Sequence, residues 1–329
     1  MVTIKDVARD AGVSVGTVSN VLNGGRVSEA RRKLVEASIE KLGYQVNTLA
    51  KGMRMQKTDY VVVILPNLIN PYFALLLDAL ESELSAVGKQ VLLCLSGDDA
   101  EREVAFMDMA KQNKVDGIIG VTYSKVEEER IENMAFVSID RHYKSHIPCV
   151  AGDNWQGGWL AAENLHKRGS TNLLCFMTMS SVDSEVRKRR VGFTEYCMEH
   201  DLSCNSVEMS EKQIVSVYES YGSRKLIHNM LRAYISPSMG EHSIDGIFTS
   251  SDHLATIVRE ELEEMGKRVP EDIQIIGYDG LQFLNQGKPI VSSIAQPVHE
   301  IAKEAVRCLN ELIANGKTEG NTKIPVSFQ

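Results

Sequence analysis

The chain has 329 residues, 43% of them apolar, and a net charge of −8. That length exceeds one ordinary domain and supplies several buried cores, so a modular protein is expected. No run approaches the roughly 18 apolar residues of a membrane span, and the opening MVTIKDVARD lacks the apolar centre of a signal peptide, which points to the cytoplasm.

The charge is unevenly divided. Residues 1–57 hold 10 Lys+Arg against 5 Asp+Glu, and the remainder holds 26 against 39. A small basic head before a large acidic body suits a nucleic-acid module joined to a domain with no role at phosphate backbones. The six cysteines (Cys94, Cys149, Cys175, Cys197, Cys204 and Cys308) form no CxxC pair and stand near no histidine cluster. They read as buried small hydrophobes rather than zinc ligands or a disulfide framework.

In TIKDVARDAG the apolar Ile4, Val7, Ala8 and Ala11 fall at i, i+3, i+4 and i+7, the stripe of an amphipathic helix. Thr3 stands at its N-cap, Asp6 favours its first turn and Gly12 ends it. A second helix is capped by Ser14, turns Val18 and Leu22 inward, and stops at Asn23-Gly24-Gly25. A third begins at Ser28, with Val35, Ile39 and Leu42 inward and Gly43 at its end. Two short helices joined by a tight glycine turn and braced by a third make a helix-turn-helix. The second helix offers Thr17, Ser19, Asn20 and Asn23 to solvent, short donors and acceptors suited to phosphates and base edges rather than a Lys/Glu mix. YQVNTLAKGMRMQKT, basic and amphipathic, then leads to a new domain.

From Tyr60 the pattern changes. YVVVIL, VLLCL, GIIGV and FVSI are short apolar runs separated by helical segments, the alternation of a parallel sheet covered on both faces. A second set follows (NLLCFM, SVEM, GIFTS, IQIIG), then strands IVSSIA and KIPVSF with a helix over 298–315 between them. Open α/β sheets bind ligands beyond the carboxyl ends of their strands. Asn70-Pro71-Tyr72-Phe73, Asp153, Ser251-Asp252 and Asp279 all sit just past such ends. Aromatic rings beside hydrogen-bonding acids are the chemistry of sugar recognition.

TIKDVARDAGVSVGTVSNVLN, then VS, LGY, the N-x-x-A of Asn47 to Ala50, NPYF, VDGII, VPEDIQIIGYDG and AQPVHEIAKEA together resemble the LacI/GalR family of bacterial transcription regulators, from Thr3 to about Val326. The resemblance implies an α/β protein: a three-helix helix-turn-helix head (1–46), a hinge helix and linker (47–59), and a two-lobed periplasmic-binding-protein-like effector and dimerisation domain (60–329). Its N-lobe would span about 60–160 and 291–320, and its C-lobe about 161–290 and 321–329, with crossings near 160, 290 and 320.

By the same resemblance DNA is met by Thr3, Ser14, Val15, Gly16, Thr17, Asn20, Asn23, Tyr44, Asn47 and Met53. Val15 offers a surface for a thymine methyl, Gly16 only backbone, and Asn20 is the one polar side chain at a base-reading position. Met53 stands where relatives usually wedge a leucine into the minor groove. Val46 replaces the proline before the hinge, and Arg31 replaces a threonine. The effector falls to Tyr72, Phe73, Asp153, Arg189, Ser251 and Asp279.

Asp183 lies near where purine-binding members place an arginine, so a neutral sugar or polyol is favoured over a phosphate. A sugar phosphate, a nucleoside or purine, or a protein partner remains the alternative. No GxSxG, Walker loop, GxGxxG after a strand or metal-spaced histidine pair occurs, so neither an enzyme nor a cofactor or metal is expected. A solute-binding protein would explain the lobes but would leave residues 1–57 without a task. One head covers one half-site, so a homodimer on palindromic operator DNA is expected, without a tetramerising tail.

Overall fold

The computed structural model describes residues 2–22, 24–44, 58–127, 130–131, 134–143, 146–179, 182–210, 213, 224–235, 243–281, 291–318 and 320–329. They form two compact units, residues 1–58 and 59–329.

Among the described residues the first unit has three helices, α1 (Ile4–Asp10), α2 (Val15–Leu22) and α3 (Glu29–Leu42). Its core is small: Val7, Val18 and Val35, one from each helix, are wholly buried, with Ala8, Ala11 and Val21 around them. Burying a valine side chain is worth about 1.5–3 kcal/mol, so this trio carries much of the unit. Val21 takes the inner place expected of Leu22, which is only half-buried; Ile39 and Leu42 likewise pack at the margin. Asp10 ties α1 to α3, accepting from Ser38 (2.9 Å) and Lys41 (2.7 Å). Gly43 closes α3 with φ 60°, a left-handed turn where a side chain would be strained.

The second unit contains β1 (Tyr60–Leu65), α4 (Pro71–Ala86), β2 (Gln90–Leu95), α5 (Ala100–Gln112), β3 (Gly117–Gly120), β4 (Phe136–Ile139) and β5 (Cys149–Gly152). There follow α6 (Asn154–Lys167), β6 (Asn172–Met179), α7 (Arg187–Glu199), β7 (Ser203–Ser210), α8 (Lys225–Ile235), β8 (Gly246–Thr249), α9 (Asp252–Glu264) and β9 (Gln274–Asp279). Last come β10 (Ser292–Ala295), α10 (Val298–Asn315), β11 (Thr322–Ile324) and β12 (Ser327–Phe328).

The strands make two six-stranded sheets, in the orders β11-β5-β4-β3-β1-β2 and β12-β10-β9-β8-β6-β7. Among the described residues every pairing is parallel except β10 with β12. Because helices cover both faces, the strands are apolar without alternation: Val61 to Leu65 are all fully buried.

The lobe boundaries differ from expectation. Ser292–Ala295, expected in the N-lobe, pair with β9 in the second sheet, while Thr322–Ile324, expected in the C-lobe, pair with β5 in the first. The KIPVSF strand is two strands, because Pro325 cannot donate to a ladder and the chain passes there from one sheet to the other. Helix α6, divided at 160 in the expectation, lies wholly in the second lobe, packed on α7. The crossings therefore fall at Asp153, at Gln296-Pro297 and at Pro325-Val326.

Two glycines set how closely α6 and α7 approach. A Cβ at Gly158 would lie 1.8 Å from the Arg189 carbonyl oxygen, and one at Gly192 would lie 2.0 Å from the Trp155 oxygen. The helices thus touch backbone to backbone, which fixes the place of Arg189 at the start of α7.

Candidate functional site

In the first unit α2 has an outward face of Ser14, Val15, Gly16 and Asn20, all exposed, with Thr17 half-exposed beside them. Ser14 caps the helix, its hydroxyl accepting from the Thr17 amide at 3.1 Å. Among the described residues the side chains of Val15 and Asn20 make no hydrogen bond inside the fold, as a reading surface requires, while the Asn20 carbonyl accepts from the Gly25 amide at 2.7 Å. Thr3 is exposed at the head of α1, donating through its amide (3.0 Å) and hydroxyl (2.6 Å) to Asp6. Tyr44 packs its ring on the head core, so its assignment to DNA can rest only on its hydroxyl end. Asn23, Asn47 and Met53 lie outside the described residues.

In the second unit the carboxyl ends of the two sheets face each other across a cavity of about 70 Å³. Tyr72, Phe73, Tyr123 and Asp140 line it from the first lobe; Arg187, Arg189, Ser250, Ser251, Asp279 and Gln296 line it from the second. Asn70 caps α4 by accepting from the Tyr72 amide (3.1 Å), and this start of the helix aims both rings into the cavity, edge to face at 5.6 Å.

Arg189 is the central group. It is 4% exposed; its Nε donates to Asn154 Oδ1 at 2.6 Å and one Nη to the Ser250 carbonyl at 2.7 Å, and its plane lies 3.5 Å from the Tyr278 ring centre. The aromatic face attracts the cation and holds it flat. Tyr278 is seated in turn against Gly157, where a Cβ would come within 2.7 Å of its hydroxyl. Burial works against the charge of Arg189, but Tyr278, Asp279 and Asp140 outweigh it, so the guanidinium is held even more firmly protonated than usual.

Two aspartates at strand ends flank it, both in backbone conformations that side chains seldom adopt: Asp140 at φ 60° and Asp279 at φ 116°. Such strain costs of order 1–3 kcal/mol and persists only where the surroundings enforce it. Burial pushes the Asp279 carboxyl up to about 8, against the pull of Arg189, with Asp252 and Asp140 adding to the rise. Asp140 is raised as well, chiefly by burial. Asp279 Oδ1 accepts from Gln296 Nε2 at 2.9 Å. Among the described residues the buried Asp279 Oδ2, Gln296 Oε1 and Tyr72 hydroxyl here have no hydrogen-bond partner. Unpaired buried acceptors are costly and call for donors from a ligand.

Of the expected effector residues, the cavity gathers Tyr72, Phe73, Arg189, Ser251 and Asp279. Ser251 also caps α9, accepting from the Leu254 amide at 3.1 Å. Asp153 is not among the cavity-lining residues; it caps α6, accepting from the Gln156 amide at 3.0 Å. The carboxylate at a crossing is there used to start a helix. Missed by the sequence reading were Asp140 and Gln296, although both follow apolar strands, FVSI and SSIA, as the strand-end rule requires.

The lobes are also joined beside the cavity. The buried Glu185 of the second lobe accepts from His142 of the first at 2.5 Å and from Lys188, and its amide donates to the Asp140 carbonyl at 2.8 Å. Among the described residues no group of three or more His, Cys, Asp or Glu could hold a metal ion, and no helix is long and apolar enough to cross a membrane.

Comparison with known proteins gives the same two modules. The family described as bacterial regulatory proteins, lacI family, matches residues 3–47, and the periplasmic binding protein-like domain matches residues 162–328. A sucrose operon repressor of Pediococcus pentosaceus is 32% identical over 99% of this chain and 97% of its own length. A ribose operon repressor of Halalkalibacterium halodurans is 32% identical over 94% and 89%. The Lac repressor dimer bound to operator and the anti-inducer ONPF has the same fold, with a TM-score of 0.80 over 99% of this chain and 97% of that one at 22% identity. A periplasmic binding protein/LacI transcriptional regulator from Alkaliphilus metalliredigens, complexed with D-xylulofuranose, matches 82% of this chain and 97% of its own at 25% identity and a TM-score of 0.70. With a helix-turn-helix before a two-lobed ligand cavity, and repressors of this identity along its full length, the chain belongs to the LacI family of bacterial regulatory proteins.

Proposed function

We propose that this protein is a repressor of a carbohydrate-utilisation operon, released from or held on its operator by a sugar or polyol bound between the lobes. The observation that carries this reading is the cavity's unpaired acceptors. Asp279 Oδ2 and Gln296 Oε1 ask for hydroxyl donors, while Tyr72 and Phe73 supply flat apolar surface for the C–H face of a sugar. A phosphate dianion, which only accepts, would leave Gln296 Oε1 unpaired and would lie beside the carboxyl groups of Asp279 and Asp140. The cavity, about 70 Å³ against the roughly 10–15 Å³ that one water needs, has the scale of a monosaccharide or small polyol. The relatives named as sucrose and ribose operon repressors support the carbohydrate class.

The DNA-binding residues are Thr3, Ser14, Val15, Gly16, Thr17, Asn20, Asn23 and Tyr44 of the head, with Asn47 and Met53 of the hinge and linker. A cytoplasmic homodimer places two such heads on a palindromic site. The effector changes the angle between the N-terminal lobes of the dimer, and a coupling of about 1–3 kcal/mol moves the operator affinity roughly 5- to 150-fold.

A thermal-shift screen of the full chain against sugars, polyols, sugar phosphates and nucleosides tests the reading. A ligand at 100 times its Kd stabilises by about 2.7 kcal/mol. A neutral sugar or polyol that stabilises the chain and shifts its operator affinity is the expected result. Response to sugar phosphates or nucleosides alone would refute the neutral-carbohydrate assignment.

A further inference from the structure

Asn154 is not among the cavity-lining residues, yet it bonds a charged group of each lobe that is. It is the first residue of α6, just past the crossing at Asp153, and it is wholly buried. Its Nδ2 donates to Asp140 Oδ1 at 3.3 Å and to the Gly152 carbonyl at 3.0 Å, both in the first lobe. Its Oδ1 accepts from Arg189 Nε at 2.6 Å and from the Tyr278 hydroxyl at 3.4 Å, both in the second. A primary amide has two N–H donors and an oxygen with two lone pairs, so each of these is used and the partners fix which way the amide faces. Leucine here would leave four buried polar partners short of a bond, and an ionised aspartate would set a second carboxylate against that of Asp140.

The amide stands between opposite charges. Asp140 and Arg189 both line the cavity and are 2% and 4% exposed, and in so dry a place their attraction is strong. Closed on each other, they would satisfy one another and offer little to a ligand. The bonds of Arg189 go instead to Asn154 and to the Ser250 carbonyl, with the Tyr278 ring against its plane. Burial raises the Asp140 carboxyl against the pull of Arg189, and Glu185 and His142 also act on it.

We propose that Asn154 is a positioning residue of the effector site: its amide bridges Asp140 and Arg189 while keeping them from closing into an ion pair, so that each stays open to a ligand hydroxyl. The proposal rests on the reading of the cavity as an effector site. Since the four bonds reach both lobes from the crossing at Asp153, the same amide fixes how the two charged groups meet across the cavity.

NMR of the effector-free full-length chain, with isotope-labelled arginine and aspartate, tests this; Arg189→Lys and Asp140→Asn assign the two resonances. In the parent the Arg189 Nε–H signal should persist at mildly alkaline pH, where exposed arginines lose theirs to exchange with water, and Asp140 should titrate above the ordinary carboxylate range. Asn154→Ala discriminates through its sign. Loss of a hydrogen bond to the carboxylate would by itself raise the Asp140 midpoint further, whereas release of Arg189 onto Asp140 lowers it by about 1–3 pH units. A lowered midpoint is expected, and Asn154→Ser, which keeps a small polar group if alanine prevents folding, should move it in the same direction. An Asp140 midpoint that is unchanged or raised in the folded variant overturns the proposal, as does a parent Arg189 Nε–H that exchanges as fast as those of exposed arginines. No effector is used, so failure of the carbohydrate reading in the thermal-shift screen and failure here are separate results.

Discussion

Replacing Gly192 by alanine tests whether the contact between α6 and α7 positions the effector site. In an ordinary helix interior the change is favourable by about 1 kcal/mol, since glycine is the weaker helix former. Here the new Cβ would stand 2.0 Å from the Trp155 oxygen, about 1 Å inside the 3.0 Å limit that real Cβ atoms respect. The obstruction is backbone and cannot swing aside, so the helices must part by about that distance. An obstruction made of backbone belongs at the upper end of the roughly 1–3 kcal/mol that overpacking costs, which leaves the body destabilised by about 2 kcal/mol after the helix gain. Asn154 is on α6 and Arg189 on α7, so their 2.6 Å hydrogen bond would lengthen beyond bonding distance, and Arg189 would lose its orientation.

Thermal unfolding of the full chain should show the body transition lowered by about 4–8 °C, and titration with the effector should show affinity weakened about tenfold, equivalent to 1.4 kcal/mol. Gly16→Ala is the control: its Cβ meets only Ser14 Oγ at 3.7 Å, so the helix gain should appear undiluted in the head. A Gly192→Ala body as stable as the parent, with unchanged effector affinity, would refute the reasoning.

Two other tests address the two sites. Asn20→Ala should weaken binding to the operator by roughly 1–3 kcal/mol while binding to unrelated DNA is nearly unchanged, since Asn20 is exposed on α2 with a side chain suited to a base edge; equal loss on both DNAs in a gel-shift titration would make it a phosphate contact. Effector binding should also depend on pH through Asp279, whose carboxyl faces Arg189, Asp252, Asp140, Tyr278 and Tyr72 and is pushed up to about 8. Below pH 8 it is protonated, and a ligand hydroxyl donating to Oδ2 selects the ionised form, so binding releases a proton. The Kd should tighten by about tenfold per unit from pH 6 towards pH 8 and level off above. Asp279→Asn should lose this dependence and the effector response, yet keep its operator affinity; a pH-independent Kd in the parent would show that Asp279 does not take a ligand donor.

The architecture was legible because its signals are local. Val7, Val18 and Val35 sit on readable helical stripes, and runs such as YVVVIL declare strands buried on both faces. Assignment of strands to lobes was not legible, since nothing within SSIA or TKI says which sheet will receive it; that choice is made by partners in β9 and β5, distant in sequence. The cavity was partly legible for the same reason. Asp279 and Ser251 follow strands, but so does Asp153, and whether an aspartate after a strand caps a helix or faces a ligand depends on the next few backbone amides. Asp140 and Gln296 satisfied the rule too, but their importance comes from the closeness of the opposite lobe. Gly158 and Gly192 carry no sequence sign of their contact.

The pairing of β11 with the first sheet and of β12 with the second has a consequence for biosynthesis. Only Pro325 and Val326 separate these strands, and they follow both lobes in the chain. While the ribosome is still making the preceding segments, β5 and β10 each present an unpaired edge, the kind of surface on which nascent chains associate wrongly. The last strands of the two sheets are made within a few residues of each other, so the lobes should complete their folding together and late.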